Sequence, residues 1–190
     1  MSSLRERRRL RTADTIRRAA VILVHAKGLD HVTAEMISDA AGISPRTFFN
    51  YFPYKEAALL PPPPVFSEAA IDRFISGQGV LLDDLIGLLG PVFNEIGEDN
   101  EFIRMTHEIS QSNPKLQILR TNTFHEFESL IAGLITRRLG TANHDKAQHM
   151  AALISASIRV GFGAWVEQKT GSAADTVLAK IKDAKTIFDV

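Results

Sequence analysis

Apolar residues recur at helical spacing along most of the chain. Ile16, Ala20 and Leu23, with Val21 and Val24 beside them, form one stripe, and Gly28 supplies its C-terminal stop. Thr33 can cap a short helix through Ala40, with Glu35 in the first turn, where the helix dipole favours negative charge. Ala41, Gly42 and Ile43 make a turn. Ser44 is a good N-cap and Pro45 a good first helical residue, which predicts a second short helix to about Tyr51; Pro53 stops it. Lys55 to Leu60 can add one or two turns. Farther on, the pattern predicts helices over residues 67–76, 81–96, 99–112, 114–139, 143–169 and 173–188. Gly79, Gly97, Gly140 and Gly171 punctuate them, and Gly90-Pro91 is expected to bend or split the second. No stretch sustains period-two alternation, so the expected fold class is all-α.

Four consecutive prolines at 61–64 lack backbone donors and favour an extended conformation, so they mark a boundary. The predicted organisation is a helix-turn-helix domain with a basic arm at 1–60, a proline connector at 61–64 and a larger helical bundle at 65–190. Charge follows this division. The 190 residues carry no net charge, yet residues 1–60 hold ten Lys and Arg against six Asp and Glu, and the remainder is correspondingly acidic. Much of the excess comes from Arg5, Arg7, Arg8, Arg9 and Arg11. These read as a flexible arm that could follow phosphates, with a solvated tail as the alternative.

A 45% hydrophobic, 23% charged composition suits a chain with a folded core. The chain has no cysteine, which excludes disulfides, thiolate nucleophiles and cysteine-ligated metals. No apolar run approaches the ~18 residues of a membrane span, so a cytoplasmic protein without a membrane partner is expected. The six histidines show no His-x3-His or Glu-x-x-His spacing on a predicted helix, and there is no glycine-rich nucleotide loop or nucleophile elbow. Neither catalysis, a metal nor a cofactor is expected.

Residues 33–51 have the shape of a helix-turn-helix, with Ile37, Ala40, Ile43 and Phe48 as its miniature core. Such a hairpin can also be plain core; the outward face of the second helix separates the two readings. That face offers Arg46, Thr47, Asn50 and Tyr51, followed by Lys55, all able to donate to phosphates or base edges. From Ser44 to Glu56 the sole acid is Glu56, as a surface meeting a polyanion requires.

Val32-Thr33, Ile37-Ser38, Ala40-Ala41-Gly42-Ile43-Ser44, Thr47-Phe48-Phe49, Tyr51-Phe52 and Lys55-Glu56 together resemble the DNA-binding region of tetracycline-repressor-type (TetR family) transcriptional regulators. The resemblance covers residues 12–60. It implies that the helix opening at Ser44 is the recognition helix, that Thr47 and Tyr51 touch the DNA backbone, and that Arg46 and Asn50 reach base edges. It also implies that Thr33 and Lys55 clamp phosphates. Phe49 replaces the usual tyrosine and is expected to pack instead. Ala58 stands where leucine is usual, and the prolines interrupt the helix that follows.

For the C-terminal region the resemblance implies a homodimer formed through the last two helices, a double-stranded DNA operator and a small-molecule effector. Val177, Ile181, Ala184 and Phe188 form a stripe on the final helix, opposite the small residues Ala152, Ser155, Ala156 and Gly163 on the preceding one. Packing within one subunit is the alternative. Phe93, Phe102, Met105, Phe124, Phe127, Phe162 and Trp165 are candidate pocket residues. Asn113-Pro114-Lys115-Leu116 and Arg137-Arg138-Leu139-Gly140 are loosely similar to a subgroup that binds acyl-CoA-like ligands. The expected function is a ligand-responsive repressor.

Overall fold

The computed structural model describes residues 4–96, 100–168 and 171–186, and these form helices and turns with no strand among them. Nine α-helices are described: α1 (Leu4–Lys27), α2 (Ala34–Ala40), α3 (Pro45–Tyr51), α4 (Glu68–Ser76), α5 (Leu81–Ile96), α6 (Asn100–Ser112), α7 (Pro114–Leu139), α8 (His144–Gln168) and α9 (Ala173–Asp183). Short 3₁₀ turns at Leu29–His31, Lys55–Leu59 and Thr141–Asn143 join them. The chain forms two compact units. One comprises residues 1–61 with 101–120, the other residues 62–100 with 121–190. The proline run therefore marks only one of the passages between units: α6 and the first turns of α7, expected in the C-terminal bundle, group with the head.

In the head unit, α1 lays Ile16, Ala20, Val21 and Val24 against Ile37, Phe48, Phe52, Ala58 and Leu59. Ile109 and Leu116 complete this core from α6 and α7. The expected miniature core holds at Ile37 and Phe48, both fully buried, while Ile43 is half-buried and Ala40 lies exposed; Ser38 is buried instead, its hydroxyl donating to the Ala34 carbonyl. The arginine-rich arm is also different from expectation. It is helix from Leu4 onward, because arginine and leucine are good helix formers and the packed turns behind them supply the nucleus. Thr12 and Thr15 donate back to the Arg8 and Arg11 carbonyls.

In the second unit, Leu85, Leu88, Leu89 and Phe93 of α5, Ile131, Leu134 and Ile135 of α7, Ile154 and Ile158 of α8, and Val177 and Ile181 of α9 share one core. α5 runs through Pro91 as a single helix, neither split nor ended, with Leu88 and Leu89 buried before the proline and Phe93 after it. Arg138, whose side chain is 6% exposed, fastens the α4–α5 connection. It donates to the Phe74 and Gly79 carbonyls, pairs with Asp84 at 2.7 Å and lies over the Phe74 ring.

The stripe on the final helix does not face outward. Val177 and Ile181 are fully buried within the subunit, Ala184 is half-buried, and Phe188 lies outside the described residues. Close crossing of α8 and α9 explains this. A Cβ on Gly161 would stand 2.7 Å from the Val177 Cα, so only glycine permits the approach. The stretch Thr141–Gln168 is long and apolar enough, by length and composition alone, to cross a membrane; here one of its faces packs into this core.

Gly161→Ala is expected to destabilise the chain by about 2 to 3 kcal/mol, because the clash is with backbone. Gly133→Ala, with nothing within 4 Å of the new methyl group, should stabilise it by about 0.5 to 1 kcal/mol. Melting curves of the two variants in denaturant check both signs.

Candidate nucleic-acid interface

The second helix of the hairpin is fixed at both ends. Ser44 caps α3, its hydroxyl oxygen accepting from the Thr47 N–H at 3.1 Å and lying 2.9 Å from the Thr47 hydroxyl; Pro45 follows as the first helical residue. The turn before it depends on Gly42 at φ 67°, left-handed backbone that closes α2 and lets the Ile43 N–H donate to the Ser38 carbonyl. Phe48 and Phe52, four residues apart, point inward, and the opposite side of α3 is left to solvent.

That side presents Arg46, Phe49 and Asn50, at i, i+3 and i+4, all exposed. Thr47 and Tyr51 are half-buried on its flank. Phe49 is 50% exposed, its ring edge-on to Phe48 at 5.4 Å, so it is not the packing residue expected from the sequence. An exposed phenyl ring between an arginine and an asparagine has the chemistry to meet a thymine methyl or a sugar, so Phe49 joins the candidate residues of this face. The signal was its helical phase, three residues after Arg46.

Lys55 and Thr33 serve the architecture as well. The Lys55 ammonium donates to the Leu29 carbonyl at 2.7 Å and the Val32 carbonyl at 2.8 Å, closing the 3₁₀ turn at Leu29–His31. Two of its three protons are thereby engaged. Thr33 accepts from the Met36 N–H at 3.3 Å as the cap of α2, and Glu35's own backbone N–H, followed by the Thr33 hydroxyl, holds the Glu35 carboxyl below its ordinary value.

Glu56, the acid nearest this face in sequence, turns inward. Its side chain is 8% exposed and receives the Lys115 ammonium of α7 at 2.6 Å. Burial pushes its pKa up, but the Lys115 hydrogen bond, its own backbone N–H and the Lys115 and Lys55 charges outweigh burial and hold the carboxyl below its ordinary value.

The aromatic candidates for a ligand site fall into two groups. Phe102 and Met105 pack against the head core, and the Arg18 guanidinium lies 4.9 Å over the Phe102 ring. In the second unit Phe93 meets Phe162 edge-on at 6.0 Å, Phe124 and Phe127 are half-buried against the same core, and Trp165 is fully buried with its indole N–H on the Gly171 carbonyl. A cavity of about 230 Å³ in this unit is lined instead by Glu128, Ser129, Ala132 and Gln148.

Because Glu56 titrates lower folded than unfolded, its stabilising contribution is complete above the unfolded value near pH ~4.3 and is lost as pH falls through the folded one. Glu56→Gln is therefore expected to flatten the acid limb of the stability profile, and Lys115→Ala to cost about 1 to 2 kcal/mol at neutral pH. Denaturant melts between pH 3 and 7 distinguish these outcomes from unchanged limbs.

Residues 16–60, the stretch just described, match the model of bacterial regulatory proteins of the tetR family. The chain is 28% identical over 173 residues to the HTH-type transcriptional regulator TcmR of Streptomyces glaucescens, covering 85% of this chain and 76% of TcmR. Among solved structures it resembles the SmeT–triclosan complex, with a TM-score of 0.58 at 19% identity over 93% of this chain and 90% of that one. SmeT is the repressor of a Stenotrophomonas maltophilia multidrug efflux pump. It also resembles the Thermus thermophilus repressor FadR in complex with lauroyl-CoA, with a TM-score of 0.50 at 20% identity over 94% and 95% of the two chains. At these identities the structural likenesses establish the fold, an N-terminal helix-turn-helix followed by helices. With its caps, turn and outward α3 face in place, the head is similar over residues 16–60 to the bacterial regulatory proteins of the tetR family, and the chain as a whole is similar to the transcriptional regulator TcmR.

Proposed function

We propose that the chain is a cytoplasmic homodimeric repressor that reads a pseudo-palindromic operator through α3 and is released by a small hydrophobic effector. The observation that carries this is the face of α3. Arg46, Phe49 and Asn50 stand exposed on a helix whose other side is locked into the head, while the acid nearest in sequence is buried against Lys115. Arg46 and Asn50 are assigned to base edges, Phe49 to apolar contact, and Thr33, Ser44, Thr47, Tyr51 and Lys55 to the phosphate backbone.

The dimer is assigned to the outer face of α8 rather than the buried α9 stripe. Leu153 and Val160 are 44% and 49% exposed, and Ala156, Ser157 and Ala164 continue their side at helical spacing. A second copy would cover this apolar strip, and reading two half-sites in successive major grooves requires two α3 helices about 34 to 36 Å apart. The effector is assigned to the aromatic side of the second unit, around Phe93, Phe124, Phe127, Phe162 and Trp165. Triclosan and the acyl chain of lauroyl-CoA, bound by the similar structures, are examples of apolar groups that suit such a lining. The signal is assigned to α7, one unbroken helix that contributes Leu116 to the head core and Ile131 and Ile135 to the second core. It thereby supplies the continuity that the prolines remove after Leu60.

Selection of bound fragments from a random duplex library tests the reading. An enriched inverted repeat is expected; enrichment without any two-fold repeat would contradict the dimer, and no enrichment would contradict the operator.

Two further outcomes are expected. Arg46→Ala should relax preference at one base pair per half-site, at a cost of about 1 to 3 kcal/mol, whereas Lys55→Ala should weaken all duplexes alike and also lower the melting midpoint, as it abandons two carbonyls. Light scattering should give about 42 kDa, twice 21.0 kDa, for the wild-type chain, and the monomer mass for a Leu153→Glu, Val160→Glu double variant.

A further inference from the structure

The first turns of α1 carry a dense run of positive charge outside the head core. Residues 4–12 hold five arginines and one glutamate. Arg5, Arg7, Arg8, Arg9 and Arg11 are exposed, as are Leu4 and Leu10, and among the described residues of α1 burial begins only at Ile16. Two physical effects oppose this arrangement in a lone helix. Cations near the N-terminus face the positive end of the helix dipole, and arginines three and four residues apart repel one another along a shared side. A row of phosphates reverses both effects.

The location suits a duplex. Arg17, farther along α1, lies 5.1 Å over the ring of Phe52, the residue that caps the C-terminal end of α3. Helix α1 therefore runs beside the end of the recognition helix. At ~1.5 Å per residue, Arg11 and Arg5 stand roughly 9 and 18 Å along the axis from that point. Arg5, Arg8 and Arg9 share one side of the helix with Thr12, by i, i+3 and i+4 spacing.

We infer that the amino-terminal turns of α1 are a second DNA-contacting element, a helical rod whose Arg5, Arg8 and Arg9 lie on the phosphate backbone flanking the site that α3 reads. This rests on the proposed role of α3 for where the duplex sits. The rod reads no base. It lengthens the footprint and steepens the salt dependence of binding, because each phosphate neutralised releases counterions.

The test compares the full chain with an R5Q/R8Q/R9Q variant on two duplexes. One ends at the edges of the selected operator; the other extends about one helical turn, ~10 base pairs, beyond each edge. Affinities are measured by fluorescence anisotropy from about 50 to 200 mM salt. On the long duplex the slope of log affinity against log salt should be shallower in the variant by roughly 2 to 3 per bound head, at about 0.9 per lost contact. On the short duplex the two slopes should converge, and both proteins should select the same sequence and share one melting midpoint. Equal slopes on both duplexes overturn the inference. Failure of the regulator reading has a different signature, a wild-type chain that enriches no sequence. The slopes are then compared on a long random duplex, where a difference supports the rod and equality overturns it.

Discussion

The ammonium of Lys55, held by the carbonyl oxygens of Leu29 and Val32, is the contact on which the head depends. Two short helices of seven residues each are too short to persist alone, so α2 and α3 keep their angle only through the elements packed around them. The lysine ties the turn that precedes α2 to the turn that follows α3, and Phe48 and Phe52 fill the space between with apolar surface. A cation at the end of a helical turn is favourable, and charge-assisted bonds to carbonyls are stronger than neutral ones. Glu56, the next residue, is drawn inward to Lys115, so the same turn that stabilises the head removes an acid from its outward face. In the proposed reading, one pair of neighbouring residues serves both fold stability and affinity for a polyanion.

The helix that supplies Lys115 belongs to both compact units. α7 begins with Leu116 in the first core and ends with Ile131, Leu134 and Ile135 in the second, without a break. Four prolines prevent the segment after Leu60 from continuing as helix, whereas among the described residues α7 runs as helix through the later boundary at residue 120. In the proposed switch an effector acts by preferring one position of this helix. Its influence on operator affinity is bounded by that preference, about 1 to 3 kcal/mol for a typical allosteric coupling.

Local chemistry was easily read from the sequence; contacts distant along the chain were not. Gly28, Thr33, Ser44-Pro45 and Pro114 each act on the adjacent backbone, and the helices start or stop where those residues require. The outward face of α3 was legible for the same reason, since Arg46 and Asn50 follow from helical phase once Phe48 is inside. Phe49 was assigned to packing because it lacks the hydroxyl of the usual tyrosine, although its phase sets it with Arg46 on the exposed side. The α9 stripe was periodic as read, but periodicity cannot tell which partner a stripe faces; the glycine at 161 decides for α8 of the same subunit. Phe102 and Met105 were assigned to a ligand site as apolar residues at helical spacing, whereas the return of α6 to the head rests on contacts distant along the chain, such as Arg18 over Phe102. The arm was read as flexible from its charge. A helix already nucleated by Ile16 to Val24 extends through arginines at small cost.

Amide chemical-shift mapping of the full chain, titrated with its selected operator duplex, tests most directly whether this head presents α3 to DNA. The predicted result is that the largest perturbations fall on residues 44–51 and on Thr33, with Ile37 and Phe48 shifting little because the core moves as a body. Perturbations centred elsewhere in the chain, with residues 44–51 unchanged at saturation, would contradict it.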